Sequence, residues 1–119
     1  MVDSSKYVVL DVETNGLSPQ NNDLLSISIY KPDEQKFFNK FLPLDMQKRI
    51  YTTQFNGITN ETLKNATHLT QTEVDNLIKE FDIKNRTVLT FGSIDQSFLR
   101  HYFKRKNLIG IEVFNFFNL

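Results

Sequence analysis

The sequence predicts an α/β domain on a mixed sheet, with strands 1-2-3 antiparallel, strands 1, 4 and 5 parallel, flanking helices and an incomplete C-terminal part. Three observations carry this expectation. The first three β-rich runs are joined by segments too short for a crossover, which makes them antiparallel neighbours. The second half alternates helix, strand, helix, strand, the order of parallel strands linked by helical crossovers. The last run, NFFNL, is still apolar where the sequence stops, with no cap, turn or polar tail. We therefore expect residues 1–119 to form a single domain that continues beyond Leu119.

Lys6 to Glu13 reads as the first strand, rich in β-branched residues, free of a helical stripe and closed by the turn signal Asn15-Gly16. A polar loop, Leu17 to Asp23, leads to a second strand, Leu24 to Lys31. There Leu25, Ile27 and Ile29 alternate with Ser26, Ser28 and Tyr30. Pro32-Asp33 suits a tight turn, so Lys36 to Leu42 should pair back as a third strand. Between Asp45 and Ala66 the signal is mixed, with short helical pieces around Phe55 to Thr59.

Thr70 to Asp82 is a helix. Thr70 and Glu73 form a capping-box pattern, and Val74, Leu77, Ile78 and Phe81 make one apolar stripe. Thr87 to Phe91 is the fourth strand, broken by Gly92. A helix from Ile94 to Lys106 buries Phe98, Leu99, Tyr102 and Phe103. Ile109 to Phe117 is the fifth strand.

At 119 residues the chain supports one core. Fourteen basic residues balance 14 acidic ones, so no overall field advertises a nucleic-acid or membrane partner, although a local basic face is compatible with that sum. No cysteine is present, which excludes disulfides and thiolate metal sites. No apolar run approaches the ~20 residues of a membrane span, and MVDSSK is not signal-like, so a cytoplasmic protein with no membrane partner is expected. Five of the eleven phenylalanines lie between Phe98 and Phe117, a density that marks packing surface.

The acids Asp11 and Glu13 sit at the end of the most apolar run, Tyr7 to Leu10. Residues i and i+2 of a strand share a face, with Cα atoms about 6–7 Å apart, so the two carboxylates project together and repel. A hard cation such as Mg²⁺ or Mn²⁺ relieves that repulsion through oxygen ligands. Asp95 follows the fourth strand at the start of the next helix. If that strand lies beside the first, Asp95 emerges at the same sheet end, where sites of open α/β sheets lie.

Three segments resemble a known family. VLDVETNGL resembles the first motif, D-x-E-T-x-G, of the DEDD (DnaQ-like) 3′–5′ exonucleases, typified by the polymerase III proofreading epsilon subunit. FNGITNETLKNA is similar to the H-G-I-T-x-E-x-L-x-x-A/P linker of that family. TVLTFGSIDQSFL resembles its second motif, with Phe91-Gly92-Ser93-Ile94-Asp95 in place of H-N-x-x-F-D. That variant is nearer to the W-G-x-x-D of the RNA-trimming branch similar to the histone-mRNA exonucleases. The resemblance spans essentially the whole chain in the family's order.

It implies a ribonuclease H-like sheet and phosphodiester hydrolysis at the 3′ end of single-stranded DNA or RNA by a two-metal mechanism. Asp11, Glu13 and Asp95 would be metal ligands for Mg²⁺ or Mn²⁺, with Glu13 also holding the attacking water. Thr14, Gly16 and Leu17 would line the terminal-nucleotide pocket. A DNA polymerase or another replication or repair protein is the implied partner.

The family's third motif, H-x-A-x-x-D or nearly so, lies downstream of the fifth strand and is missing. His68 precedes the second motif, and its Glu73 is better used as a cap. His101 lies off the Phe98–Tyr102 face. Both are expected on the surface or in loops, so no general base is found in this chain. Lys104 to Lys106 should complement a helix C-terminus. The leading expectation is a metal-dependent exonuclease domain that is inactive or weak by itself; the alternative is a non-catalytic nucleic-acid- or polymerase-binding module of the same fold.

Overall fold

The computed structural model describes residues 3–119. Strands β1 (Tyr7–Thr14), β2 (Leu24–Lys31), β3 (Lys36–Phe41), β4 (Thr87–Thr90) and β5 (Asn115–Asn118) form one sheet in the order β3-β2-β1-β4-β5. The β1–β2 and β2–β3 pairs are antiparallel, and the β1–β4 and β4–β5 pairs are parallel. This is the mixed sheet expected from the sequence. Helices α1 (Thr53–Asn56), α2 (Gln71–Glu80) and α3 (Ile94–Arg105) complete the architecture.

Strand alternation decides which face is covered. Val8, Leu10 and Val12 of β1 are buried, and Leu10 and Val12 lie opposite Ile29 and Ile27 of β2. Together with Val74, Leu77 and Phe81 from the α2 region and Phe98, Leu99, Tyr102 and Phe103 of α3 they make one core cluster. The other face carries Val9, Tyr30 and Phe37 in one register row and Asp11, Ser28 and Asn39 in the next. Tyr30 and Phe37 on that face are exposed. Leu25, where the β1–β2 register shifts, belongs to a second small cluster with Ile58 and Leu63.

Helix α2 begins as its sequence dictates. Thr70 and Glu73 close a reciprocal capping box, and the apolar stripe behind them faces the core. Of the C-terminal phenylalanines, Phe98, Phe103 and Phe114 are core, whereas Phe117 is 57% exposed.

One boundary differs from the sequence-based expectation by more than two residues. The fifth strand spans Asn115–Asn118 rather than Ile109 to Phe117. Gln71 holds both backbone groups of Ile109: its Nε2 donates to the Ile109 carbonyl, and its Oε1 accepts from the Ile109 N–H, each at 2.9 Å. Gly110 then turns with φ 116°, and Ile111–Val113 form a single 3₁₀ turn. The apolar character of this segment serves packing against α2 and the core, not strand pairing.

The placement of the site follows from unequal strand pairing. Along β1 the ladder to β2 continues to Thr14, but the ladder to β4 ends at Val9↔Leu89. Beyond Val9 the sheet forks, and the β4 side of the second half of β1 is left for other groups.

Candidate active site

The fork is filled by the start of α3. After β4 the chain passes Phe91 and turns at Gly92, whose φ of 92° is disfavoured for side-chain-bearing residues. Helix α3 then begins, and its second residue, Asp95, is buried at 4% exposure. Asp11 is exposed and Glu13 half-buried on β1. Burial, and then the charges of Asp11 and Glu13, push the Asp95 carboxyl up to about 6, opposed by a backbone hydrogen bond to Val12. Burial, followed by the charge of Asp11, raises Glu13 as well. The three acids named by the sequence are thus electrostatic neighbours.

Asp95 is the diagnostic member. Its Oδ2 is buried and has no hydrogen-bond partner. A buried carboxylate oxygen without a donor is unfavourable unless a cation or proton supplies what the protein withholds. The donor set, three carboxylates and no sulfur or imidazole, suits a hard divalent ion. Among the described residues no three acids or histidines are drawn together tightly enough to form a ready-made metal cage.

Beside the acids lies a cavity of about 470 Å³, lined by Glu13, Thr14, Gly16, Leu17, Thr52, Phe55, Asn56, Ile94 and Asp95 as well as Val12. All three nucleotide-pocket residues expected from the sequence are therefore brought to the same cavity as Glu13 and Asp95. Leu17 is 83% exposed and Phe55 81%, an extreme for large apolar side chains bordering one hollow. Gly16 is required by geometry: its φ is 142°, and an added Cβ would lie 2.3 Å from Asn22 Oδ1. That Asn22 oxygen already accepts from the Ser18 N–H at 2.9 Å.

Phe55, Asn56, Thr52 and Ile94 were not singled out from the sequence. Ile94 opens α3, and the other three arrive through a loop clipped to the end of β1. The buried side chain of Asn15 donates to the Arg49 carbonyl (2.9 Å) and accepts from the Tyr51 N–H (2.6 Å). Thr52 Oγ1 donates to the Thr14 carbonyl at 3.0 Å. Asn56 donates to Thr52 Oγ1 at 3.0 Å and accepts from the Ile58 N–H at 3.0 Å. Gly57 ends α1 in the left-handed region, φ 74°. The triplet Phe55-Asn56-Gly57, an aromatic just before a helix-ending glycine, was the available signal.

Neither histidine lines this cavity. His68 lies in the loop before α2, half-buried, and its Nδ1 lies 2.9 Å from the Tyr102 hydroxyl. Burial pushes that hydroxyl up to about 12, and its oxygen accepts from the Leu69 N–H (3.0 Å), so its proton goes to His68. Burial, then the charge of Lys106, lowers His68 itself. His101 Nδ1 donates to the Ser97 carbonyl at 2.8 Å. The basic run at the end of α3 is largely neutralised: Arg105 Nε (3.0 Å) and Lys106 Nζ (2.9 Å) both reach Asp45.

With this geometry in place, comparison with known proteins is decisive. The profile of the RNase T family, described as Exonuclease, matches residues 8–118. The chain belongs to this exonuclease family. It is 33% identical over 105 residues to a PolC-type DNA polymerase III of Streptococcus pyogenes serotype M18, covering 86% of this chain and 7% of the polymerase. The serotype M2 polymerase is 32% identical over the same length. The chain thus spans a small fraction of these relatives.

The fold also matches solved structures. A product-bound exonuclease I superposes with a TM-score of 0.75 at 12% identity, covering 97% of this chain and 30% of that one. A zinc-bound Escherichia coli exonuclease I–ssDNA complex gives 0.74 at 13% identity, covering 97% and 28%. The fold is the DnaQ-like, ribonuclease H-like exonuclease fold. Among the described residues no helix is long and apolar enough to cross a membrane.

Proposed function

We propose that this exonuclease-family domain acts on the 3′ end of single-stranded DNA or RNA, with Asp11, Glu13 and Asp95 as the ligands for Mg²⁺ or Mn²⁺. The unpartnered, buried Oδ2 of Asp95 beside two further carboxylates carries this reading. Bound divalent ions supply charge stabilisation at the phosphate and an acidified water. The chain's own groups do the rest. Glu13 orients the attacking water. Leu17 and Phe55 flank the terminal base, Thr14 borders the sugar, and Gly16, lacking a Cβ, admits the nucleic-acid backbone.

Identity to PolC-type polymerases supports a replication setting, in which a DNA polymerase is the partner of this domain. Cytoplasmic localisation follows from that setting.

A second reading, a binding module of the same fold that does not cut, is favoured by one observation: both histidines are engaged away from the cavity. A general base contributes about 10²–10⁴-fold, so residues 1–119 alone should release little or no mononucleotide from a single-stranded oligonucleotide in Mn²⁺. Processive degradation by the purified domain would remove the second reading and the inference of a missing base together.

Thermal unfolding tests the metal site. Mn²⁺ at about 100 times its Kd should stabilise the wild type by about 2.7 kcal/mol and leave Asp11→Ala unshifted. Equal shifts in the two proteins would sink the assignment of the acids.

A further inference from the structure

The loop that delivers Phe55 to the cavity also presents a second exposed aromatic, Tyr51, with the Arg49 guanidinium 4.9 Å above its ring centroid. We propose that this stacked pair is a second-nucleotide subsite, which takes the base and phosphate next to the terminal nucleotide of a single strand. The proposal rests on the nuclease-site reading above and extends it by one residue of substrate.

Three observations carry it. The first is rigidity. Buried Asn15, 1% exposed, spends both ends of its amide on the backbones of Arg49 and Tyr51. Asn15 sits between Thr14 and Gly16, so the pair is fixed beside the pocket wall. The next residue, Thr52, lines the cavity and is tied to the Thr14 carbonyl.

The second is exposure. The fold holds the backbone tightly but leaves the Tyr51 side chain in water, at 54% exposure. The ring is therefore open to a partner from solution.

The third is charge. Among the described residues no carboxylate forms an ion pair with Arg49, whereas Arg105 and Lys106 are held by Asp45. A guanidinium stacked on a ring covers one ring face while its N–H fork stays free at the edge. The other face of Tyr51 can then stack on a base, and the fork can meet a phosphate. A single strand offers these two groups together, at every nucleotide.

The test compares one nucleotide with two. Thymidine 5′-monophosphate and a phosphorothioate-linked thymidine dinucleotide bearing a 5′-phosphate are titrated calorimetrically in Mn²⁺. The wild type should bind the dinucleotide more tightly. Tyr51→Ala should weaken dinucleotide binding by about 5- to 150-fold, the range of one base–aromatic stack, with the mononucleotide changed less than about twofold.

Tyr51→Phe should keep the wild-type preference, since the ring does the stacking. Arg49→Ala should weaken the dinucleotide alone and reduce its salt dependence by about one phosphate contact, a slope change of about 0.7. Phe55→Ala should weaken both ligands, and unchanged melting temperatures would show that each variant is folded. A Tyr51→Ala protein that binds the dinucleotide as the wild type does, or that loses both ligands alike, overturns the subsite. A wild type that binds the mononucleotide but gains nothing from the second nucleotide also overturns it, and leaves the nuclease site standing. A wild type that binds neither defeats both.

Discussion

The two ends of β1 handle buried charge in opposite ways. At the N-terminal end, Arg86 is 7% exposed and its guanidinium meets the Asp33 carboxylate in a two-point fork, 2.8 and 2.9 Å. Its Nη1 also donates to the carbonyls of Ser4 and Tyr7, each at 3.2 Å, and Asp82 stands 3.7 Å from its Nε. The hydrogen bond with Asp33, chiefly, raises Arg86 and holds Asp33 below the usual carboxylate range.

At the C-terminal end Asp95 is as deeply buried, but its neighbours are other acids, and its Oδ2 has no partner. One end balances its charge within the protein, with two carboxylates beside the guanidinium, although the Arg86 Nε has no hydrogen-bond partner. The other sets like charges beside one another.

The largest test breaks the balanced end. Arg86→Ala removes a buried guanidinium and its ties to two backbone carbonyls, and should destabilise the domain by about 3 kcal/mol in urea titration, the upper range for hydrogen bonds to a charged group. A loss below about 1 kcal/mol would erase the contrast between the two ends.

Asp95→Asn should do the reverse. Because the folded carboxyl is raised to about 6 from an ordinary value near 3.8, the folded state binds its proton more tightly than the unfolded chain does. Stability therefore falls as pH rises from about 4 to about 6 and stays low above that. Removing the charge should raise stability at pH 7.5 in metal-free buffer by up to about 3 kcal/mol, the full linkage value of two pH units. The same variant should lose the thermal shift by Mn²⁺. A metal-free Asp95→Asn no more stable than wild type would contradict the burden assigned to this residue.

Asn15→Ala sharpens the contrast from the side of the loop. Two buried hydrogen bonds are lost and the 49–56 segment is released, so stability should fall by about 1–3 kcal/mol. Limited proteolysis should then cut within that segment first. The smallest effect is a slope. Asp33 contributes stability above the ordinary carboxylate range and loses it as pH falls through its depressed folded value. The wild type should lose stability below about pH 4 more steeply than Asp33→Asn.

How much of this was legible depends on the kind of signal. The β1–β2–β3 meander and the Asp11–Glu13 pair follow from alternation over a few neighbours, which a sequence displays directly. Asp95 could be placed because Gly92 breaks an apolar strand just before an amphipathic helix. The fifth strand was overextended because Gln71, 38 residues away, captures both backbone groups of Ile109, and no local pattern announces that.

The cavity's second wall was illegible for the same reason. Asn15 acts on residues 34 and 36 positions further on through its side chain. Phenylalanine density misled in part as well: Phe98, Phe103 and Phe114 are core, but Phe117 is 57% exposed.

That turn has a consequence for how the domain tolerates change. Asp95 is delivered to the acids by a count of residues: β4 ends at Thr90, and α3 starts at Ile94. On a helix each residue added or removed rotates every later side chain by about 100°, enough to carry a carboxylate off one face. Inserting or deleting one residue between Phe91 and Ser93 should thus displace Asp95 and the core face of α3 (Phe98, Leu99, Tyr102 and Phe103) together, costing site and stability at once. Point changes there, Gly92 apart, should pass unnoticed. The short link works as a ruler, and its function is to measure length.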